Sequence, residues 1–237
     1  MLLRYTSNGY LVILPGDNPD QIVDAILETG YNEEFCLSPN FDPVFISRLM
    51  EAGFLVMSAD IADKKSNSRD FILLPKLHLT RSALFFENLH IKKSVRRYLN
   101  LYELCPDSDF TYIVDRCVEI HGNGWLTPPL LDAIKIIRKK QSGNVRPMSF
   151  SLYRDGKLVA GEFGIQAGKV YTSYSGYYDE SNCGTVQIIL TARYLNEHGF
   201  AFFDLGMPLD YKTDLGALNI RAEKFVKLFR TARRVPS

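Results

Sequence analysis

Two spacings of apolar residues alternate in the first part of the chain. Residues 9–14 are continuously apolar and predict a strand, and residues 20–27 show the three-to-four spacing of a helix that ends at Gly30. Asp42 followed by Pro43 is typical of an N-cap and a first-turn proline, and predicts a helix that ends at Gly53. The apolar residues 54–57 predict a second strand. These elements describe a small α/β unit.

The rest of the chain predicts more strands and helices in a different order. Strands are predicted at 71–75, 82–86, 149–153, 158–165, 170–174, 200–204 and 224–229, and helices at 92–101, 109–121, 130–140 and 182–196. An Asp-Gly turn at 155–156 joins two of the strands into a hairpin. Along this part of the chain, helices are followed by a meander and then by a helix and two strands. This order is typical of an α+β fold rather than of alternating parallel units. The polar segment 60–69 predicts a linker or a mobile loop, and we expect domains at 1–70 and 71–237.

Composition agrees with a folded protein and limits its partners. Hydrophobic residues make up 46% and charged residues 23% of 237 positions, which is typical of a globular chain. The net charge of +1 means that a nucleic acid would have to bind a local basic patch. No apolar run reaches the roughly 18 residues of a membrane span, and the N-terminus lacks the apolar core of a signal peptide. We therefore expect a cytoplasmic protein that does not bind membranes.

Cysteine and histidine spacing gives no sign of a metal site. The four cysteines contain no C-x-x-C pair, and the four histidines contain no H-x-x-x-H pair. Free, buried thiols are the simplest interpretation. We expect no metal.

Asp204 stands at the end of the apolar and aromatic run 200–203. An ionised carboxylate taken out of water is costly unless it is paired or hydrogen-bonded. Asp204 is therefore expected either at the tip of a strand that opens onto a site or as the cap of the following turn. If it is catalytic, it should lie within one hydrogen bond and one water of an open cleft.

Several segments carry a resemblance to a known family. Residues 87–97 (ENLHIKKSVRR) look like the family segment "slHisrSlrr", and residues 124–127 (GWLT) are similar to its T-W-I-T. Residues 156–164 (GKLVAGEFG) resemble "dELVGGlYGv". Residues 198–204 with 215–217 resemble "GxxLIDCQ…SLGA". In their order and spacing, these segments resemble the leucyl/phenylalanyl-tRNA–protein transferases.

The resemblance implies both a fold and an activity. It implies an acetyltransferase-like (GNAT) C-terminal domain with an antiparallel meander, beside a small N-terminal α/β domain. The implied enzyme moves Leu or Phe from a charged tRNA to the N-terminal α-amine of a protein that begins with Lys or Arg, which marks that protein for degradation. It implies no cofactor, neither coenzyme A nor a metal. Residues 181–185 accordingly hold only one glycine where a pyrophosphate-binding loop would need more.

Carried over to this chain, the family's catalytic Asp falls on Asp204, which could accept the amine's proton or orient a group that does. The chain departs from the family near this residue. Gly206 stands where the family has a catalytic Gln, and Tyr174 stands where it has a Glu that positions the amine. Glu162 introduces a carboxylate at an apolar position of the family, and it either compensates for the lost Glu or faces solvent. Leu55-Val56-Met57 replaces the family's F-P-W beside the tRNA 3′ adenosine.

The aromatic residues of the region are candidates for substrate binding. In the family the position of Trp125 lines the pocket for the aminoacyl-adenosine end, and the alternative is a core tryptophan that anchors a loop. Phe163, Tyr171, Tyr174 and Tyr177 alternate along the meander and form either an amino-acid pocket or core. With Glu162 and Gly206 they complete the set of predicted substrate-binding residues.

Basic clusters are candidates for tRNA binding, although each is individually typical of a solvated face. The predicted tRNA-binding residues are Lys92, Lys93, Arg96, Arg97, Arg138, Lys139 and Lys140. Arg230, Arg233 and Arg234 form a further basic cluster.

Two alternatives to this function stay open. One is an acyltransferase on the same scaffold that uses another donor or acceptor. The other is a relative without catalytic activity that binds tRNA ends or peptide N-termini. The replaced Gln and Glu favour these alternatives, whereas Asp204, Trp125 and the basic runs favour the transferase.

Overall fold

A computed structural model describes residues 3–61, 70–140 and 144–234. Its strands are β1 (Arg4–Tyr5), β2 (Leu11–Val12), β3 (Leu55–Asp60), β4 (Phe71–Lys76), β5 (Thr80–Leu84), β6 (Glu103–Pro106), β7 (Val145–Arg154), β8 (Lys157–Ala167), β9 (Val170–Tyr178), β10 (Phe202–Asp204) and β11 (Leu218–Arg221). Its α-helices are α1 (Pro19–Thr29), α2 (Pro43–Glu51), α3 (Lys93–Arg96), α4 (Phe110–His121), α5 (Pro128–Lys140), α6 (Cys183–Glu197), α7 (Asp210–Asp214) and α8 (Ala222–Arg233). The predicted α+β class is confirmed.

A mixed seven-stranded sheet forms the centre of the described molecule, in the order β11-β5-β10-β9-β8-β7-β6. The strands β7 to β9 form the predicted antiparallel meander, and β6, which the sequence did not predict, adds a further antiparallel strand beside β7. Helix α6 then returns the chain so that β10 lies parallel to β9 and antiparallel to β5. This connection places β10 inside the sheet, with a neighbour on either side.

The two N-terminal helices begin where the sequence predicts. The side chain of Asn18 accepts a hydrogen bond from the backbone N–H of Asp20 at the start of α1. Asp42 caps α2 in the same way through the N–H of Phe45, and a proline occupies the first turn of each helix. The capping side chains satisfy donors that have no partner inside the helix.

The predicted domain boundary at residue 70 separates two strands that pair with each other. Strand β4 pairs antiparallel with β3 along its whole length, and Ser38 bridges to Leu73. One hydrophobic core contains Leu11 of the N-terminal part, Phe163 of the sheet and Phe225 of α8. The division into two domains stays a prediction. Most of the predicted linker, residues 62–69, lies outside the described residues.

Three predicted elements differ from the structure, and the first is the strand predicted at 9–14, which is shortened to the two residues of β2. The strand predicted at 224–229 is wrong, because this segment belongs to α8. The buried residues Ala222, Phe225, Val226 and Phe229 follow the three-to-four spacing of a helix. The helix predicted at 92–101 is reduced to the four residues of α3 and a separate 3-10 turn. Like charges stand four residues apart at 92 and 96 and at 93 and 97, which disfavours one continuous helix.

Within the described ranges, no helix combines the length and the apolar character needed to cross a bilayer.

Candidate active site

A cavity opens where β9 and β10 stop pairing. The two parallel strands are in register only at residues 170–172 of β9, whereas β9 continues along β8 to Tyr178. After Asp204 the chain leaves the sheet through Leu205 and returns as α7. The gap forms a cavity of about 460 Å³ between β9, the start of α6 and residues 205–212.

A β-bulge shapes the wall of this cavity. Gly164 pairs with Ser173 and Phe163 pairs with Ser175, so Tyr174 has no partner residue on β8. The Tyr174 hydroxyl accepts a hydrogen bond from the backbone N–H of Val56 at 3.1 Å. The bulge therefore turns Tyr174 toward the N-terminal unit and connects that unit to the cavity wall.

Asp204 is not among the residues that line the cavity, although the next residue, Leu205, is, and none of the Asp204 surface is exposed. Arg81 of β5 donates two hydrogen bonds to its carboxylate, at 3.1 Å to Oδ1 and 2.6 Å to Oδ2. The hydroxyl of Thr172 donates to Oδ2 at 2.9 Å, and the backbone N–H of Gly206 donates to Oδ1 at 3.0 Å. Asp204 thus connects β5, β9 and the segment after β10.

The expectation that Asp204 lies at an open cleft is wrong. Strands on both sides cover β10, and the Arg81 guanidinium supplies the charge that makes the burial tolerable. Because both carboxylate oxygens are engaged in a buried network, the geometry does not support Asp204 as the direct acceptor of a substrate proton. It supports a positioning residue instead.

The backbone conformation and the N–H group of Gly206 are suited to this hydrogen-bond network. Its φ of +76° lies in the left-handed region that favours glycine, and a Cβ there would meet only Leu55, at 3.9 Å. The chain therefore turns at Gly206 directly after Asp204, with its N–H aimed back at the carboxylate. The family's Gln at this position would have space but would hold a strained backbone.

Glu162 lines the cavity and is only 4% exposed, so the interpretation that it faces solvent is wrong. Burial raises its pKa from the ordinary 4.5 to about 7, and the hydroxyls of Tyr171 and Ser173 and the charge of Lys212 oppose this rise. Its Oε2 accepts from the Ser173 hydroxyl at 3.4 Å. Among the described residues, its Oε1 has no hydrogen-bond partner.

Lys212 of α7 also lines the cavity, which no sequence pattern predicted. Its ammonium donates to the backbone carbonyls of Leu205 at 2.5 Å and Met207 at 2.8 Å. Burial lowers its pKa to about 8. A lysine in a polar segment resembles a surface residue, so only the fold could show that these carbonyls draw it inward.

Some of the remaining predicted substrate-binding residues line the cavity, and the others belong to the hydrophobic core. Tyr174 and Tyr177 line the cavity, whereas Phe163 and Tyr171 are fully buried and do not. The Trp125 ring packs nearly parallel to Phe163, with centroids 6.4 Å apart, and contacts Tyr174. Of the two interpretations left open for Phe163 and Tyr171, the structure favours core, and Trp125 supports the back of the cavity wall.

The predicted tRNA-binding residues lie in two places. Lys92, Lys93, Arg96 and Arg97 are exposed around α3, where Lys92 pairs with Asp214 at 2.6 Å. Lys139 and Lys140 are exposed at the end of α5. Arg138 is half-buried, donates to Asp107 at 2.6 Å, and lines a basic cavity of about 410 Å³ with Lys135, Lys139 and Arg146.

Arg230 and Arg233 of the third basic cluster form ion pairs between two helices. Arg230 pairs with Asp24 at 2.6 Å, and Arg233 pairs with Asp20 at the same distance. These contacts join α8 to α1. Their guanidinium groups are therefore engaged within the fold rather than presented to a nucleic acid.

No group of three or more His, Cys, Asp or Glu side chains in the described parts of the chain is arranged to hold a metal ion. All four cysteines are free thiols. Burial raises the pKa of the Cys36 and Cys117 thiols to about 12, so neither is a reactive nucleophile near neutral pH.

A family model and the curated relatives point to the same family. A family model described as Leucyl/phenylalanyl-tRNA protein transferase matches residues 83–230. The protein of that name from Pseudomonas entomophila (strain L48) is 26% identical over 150 residues, which cover 61% of this chain and 65% of the relative. That of Campylobacter jejuni (strain RM1221) is 23% identical over 194 residues, covering 81% and 86%. The match thus spans slightly less than two thirds of the Pseudomonas protein. Among solved structures, FemX aligns at 10% identity with a TM-score of 0.47, over 96% of this chain and 85% of that chain.

Proposed function

The chain belongs to the leucyl/phenylalanyl-tRNA protein transferase family, and from this premise we propose that it transfers an aminoacyl group from a charged tRNA to the N-terminal α-amine of a protein. The observation that carries the proposal is the place of the cavity. Every residue that lines it falls between 161 and 212, inside the matched segment 83–230. The family name indicates a leucyl or phenylalanyl donor. The family resemblance adds an acceptor that begins with Lys or Arg.

The main requirement of this reaction is that the protein binds its two substrates close together. The α-amine nitrogen attacks the ester carbonyl carbon, the bond from that carbon to the ribose oxygen breaks, and a peptide bond forms. The amine loses one proton and the departing ribose oxygen gains one to become a hydroxyl, so the step neither consumes nor releases protons overall. An α-amine has a pKa of about 8, so a substantial fraction is already neutral at physiological pH. Proximity and orientation within the cavity can therefore supply much of the acceleration.

Lys212 and Asp204 have complementary roles in this proposal. The Lys212 ammonium places a positive charge on the cavity wall, where it stabilises the oxyanion that develops on the ester carbonyl. Asp204 acts through its neighbours, because it fixes Thr172 and Gly206 at the point where the two strands separate. We regard Asp204 as a positioning residue and Lys212 as the candidate for electrostatic catalysis.

The exposed cations are proposed to bind the tRNA. Lys92, Lys93, Arg96 and Arg97 lie on the segment that leads into β6, and Lys139 and Lys140 lie beside the basic cavity of α5. Lysine and arginine side chains bind phosphates largely through counterion release, so this binding depends steeply on salt. A net charge of +1 requires that such binding be local.

We also propose that the sheet is of the acetyltransferase-like (GNAT) type. The antiparallel meander, the returning helix α6 and the separation of the parallel strands β9 and β10 support this. A transferase that uses charged tRNA would act in the cytoplasm. Its product would carry a new N-terminal residue that serves as a degradation signal.

Direct transfer is the experiment that tests this function. The protein is incubated with separately charged leucyl- and phenylalanyl-tRNA and with a peptide that begins with Lys or Arg, and the product is identified by mass spectrometry. We expect the peptide to gain one aminoacyl residue at its N-terminus. Salt-sensitive tRNA binding without transfer from any charged tRNA would favour the non-catalytic relative. Absence of both would favour an acyltransferase with another donor.

A further inference from the structure

The basic cavity beside α5 concentrates positive charge on its wall. Its volume is about 410 Å³, and the cations that line it are Lys135, Arg138, Lys139 and Arg146. Asp107 contributes the one carboxylate among the described residues of this wall, which leaves a net charge of +3. Because the whole chain carries a net charge of only +1, the cavity is a local centre of positive potential.

Asp107 orients the two arginines of the cavity. Its Oδ1 accepts a hydrogen bond from Arg138 at 2.6 Å, and its Oδ2 accepts one from Arg146. Its φ of +60° lies in the left-handed region, and its N–H donates to the Ser149 carbonyl at 2.6 Å. The turn after β6 therefore holds this carboxylate between α5 and β7.

Three of the cations keep hydrogen-bonding capacity for a ligand. Arg138 is engaged in the fold, because it also donates to the Pro147 carbonyl at 2.7 Å and lies over the Phe110 ring, 4.4 Å from its centroid. Arg146, in contrast, donates only to Asp107 among the described residues. Lys135 and Lys139 form no hydrogen bond or ion pair with any described residue. Like charges four residues apart on a helix repel each other, so an anion between these two lysines would be stabilising.

The basic cavity is separate from the cavity of the candidate active site. The two cavities share no lining residue among those described. Helix α5 packs into one hydrophobic cluster through Ile134 and Ile137, whereas α6 packs into two other clusters through Ile189 and Leu195. A ligand in the basic cavity would therefore not occupy the candidate active site.

The charge of the cavity favours a ligand that carries two negative charges on one group. A phosphate monoester has a charge of about −1.5 to −2 at pH 7 and three strong acceptor oxygens. Lysine and arginine side chains are the usual partners of such oxygens. A phosphodiester or a carboxylate carries a single charge and would leave more of the +3 uncompensated. The volume is also within the usual range of small-molecule sites.

We propose that the basic cavity binds a phosphate monoester through Lys135, Lys139 and Arg146. The monoester has two sources of the same chemistry. One is a free small molecule such as a nucleotide, and the other is the 5′-terminal phosphate of a tRNA. Only the second source rests on the function proposed above.

Two matched nucleotides test the site without requiring transfer. Adenosine 5′-monophosphate carries a phosphate monoester, and adenosine 3′,5′-cyclic monophosphate carries the same nucleoside on a diester with one charge. Titration calorimetry measures the binding of both at pH 7.5, where the monoester is mostly a dianion. We expect the wild-type protein to bind the monoester at least about tenfold more tightly, as for one additional charged hydrogen bond. Equal affinity for the two nucleotides would overturn the proposal.

Charge-neutralising variants locate this binding in the cavity. The double variant Lys135→Gln, Lys139→Gln should lose about 100-fold in affinity for adenosine 5′-monophosphate, as for one charged hydrogen bond per lysine. The double variant Lys224→Gln, Lys227→Gln removes the same charge from exposed positions of α8 and should keep the wild-type affinity. Urea unfolding shows whether each variant is folded.

A single variant protects the test against a folding defect. Lys139 is exposed, so Lys139→Gln should fold normally and lose about tenfold in affinity for adenosine 5′-monophosphate. Wild-type affinity in the Lys139→Gln protein would overturn the proposal.

Transfer RNA with and without its 5′-terminal phosphate identifies the source of the monoester. If tRNA occupies the cavity, saturating tRNA displaces adenosine 5′-monophosphate, and removal of the 5′ phosphate weakens tRNA binding to the wild type but not to the double lysine variant of α5. If the nucleotide still binds at saturating tRNA and the 5′ phosphate has no effect, the monoester is a free small molecule. Transfer to a peptide without nucleotide binding would overturn the site and leave the proposed function intact. Nucleotide binding without any transfer would reject the function but not the site.

Discussion

Asp204 carries its charge in the middle of the sheet. Arg81, Thr172 and the N–H of Gly206 satisfy both carboxylate oxygens, and Arg81 is itself only 1% exposed. The Arg81 guanidinium also lies over the Phe225 ring, 4.6 Å from its centroid. Removing one partner of such a buried pair leaves the other charge uncompensated. At the scale of single residues, this pair should be important for stability.

Asp204→Asn should lower the free energy of unfolding by about 3–5 kcal/mol, because the Arg81 charge stays buried without its counter-ion. Urea unfolding of Asp204→Asn is compared with that of Asp132→Asn, an exposed aspartate on α5 that should change little. An Asp204→Asn protein with unchanged stability but no transfer activity would contradict the positioning role. It would restore Asp204 as a catalytic residue.

Glu162 should make stability depend on pH. Its pKa is raised from 4.5 to about 7 in the folded protein, so its stabilising contribution is complete below about 4.5 and is lost as the pH rises through about 7. Gln at this position stays neutral throughout. Urea unfolding should therefore show that Glu162→Gln gains stability relative to the wild type between pH 5 and pH 7.5. A difference between the two proteins that does not change with pH would show that the carboxylate is not held in this environment.

The bulge between β8 and β9 is the central feature at the scale of elements. Gly164 lies beside it, and a Cβ built there would come within 2.2 Å of the Thr172 carbonyl oxygen and 2.7 Å of the Tyr171 ring. The backbones of β8 and β9 approach closely at this point. The bulged geometry in turn directs Tyr174 to Val56 and leaves the outer edge of β9 free to form the cavity.

Gly164→Ala should destabilise the protein by several kcal/mol, on the order of an overpacked core, because the backbone oxygen of Thr172 cannot move aside as a side chain could. Gly16→Ala provides the control, since a Cβ at that position meets nothing within 4 Å. The two variants are compared by thermal and urea unfolding. Similar stabilities would mean that β8 and β9 are not this close.

Elements that are marked by neighbouring residues in the sequence could be predicted from it. Helices α1 and α2 have capping residues and prolines at their starts, and the meander has an Asp-Gly turn, so their positions could be inferred. The long-range neighbours of Asp204 could not, because Arg81 precedes it by 123 residues and no pattern indicates that β5 pairs with β10. Lys212 was missed for the same reason, since the carbonyls that bind it come from a turn rather than a motif.

At the scale of the whole molecule, the N-terminal unit supports the cavity through the core and through two sets of polar contacts. Val56 holds the Tyr174 hydroxyl, and Asp20 and Asp24 of α1 pair with Arg233 and Arg230 of α8. The sheet, α8 and the N-terminal helices therefore form one packed arrangement around the site. We propose that aminoacyl transfer takes place in the cavity between β9, α6 and α7.

A bulky side chain that blocks this cavity tests the proposed location of the transfer. Thr185, at the start of α6, lines the cavity and is half-buried, so Thr185→Trp should fill space that substrates need. Thr231→Trp, on an exposed position of α8, is the matched control. The measurement is the initial rate of transfer from charged tRNA to a peptide N-terminus, with urea unfolding to confirm that each variant is folded. We expect Thr231→Trp to keep the wild-type rate and Thr185→Trp to lose at least about tenfold, equivalent to roughly 1.4 kcal/mol of transition-state stabilisation. A folded Thr185→Trp protein that transfers at the wild-type rate would show that transfer takes place elsewhere.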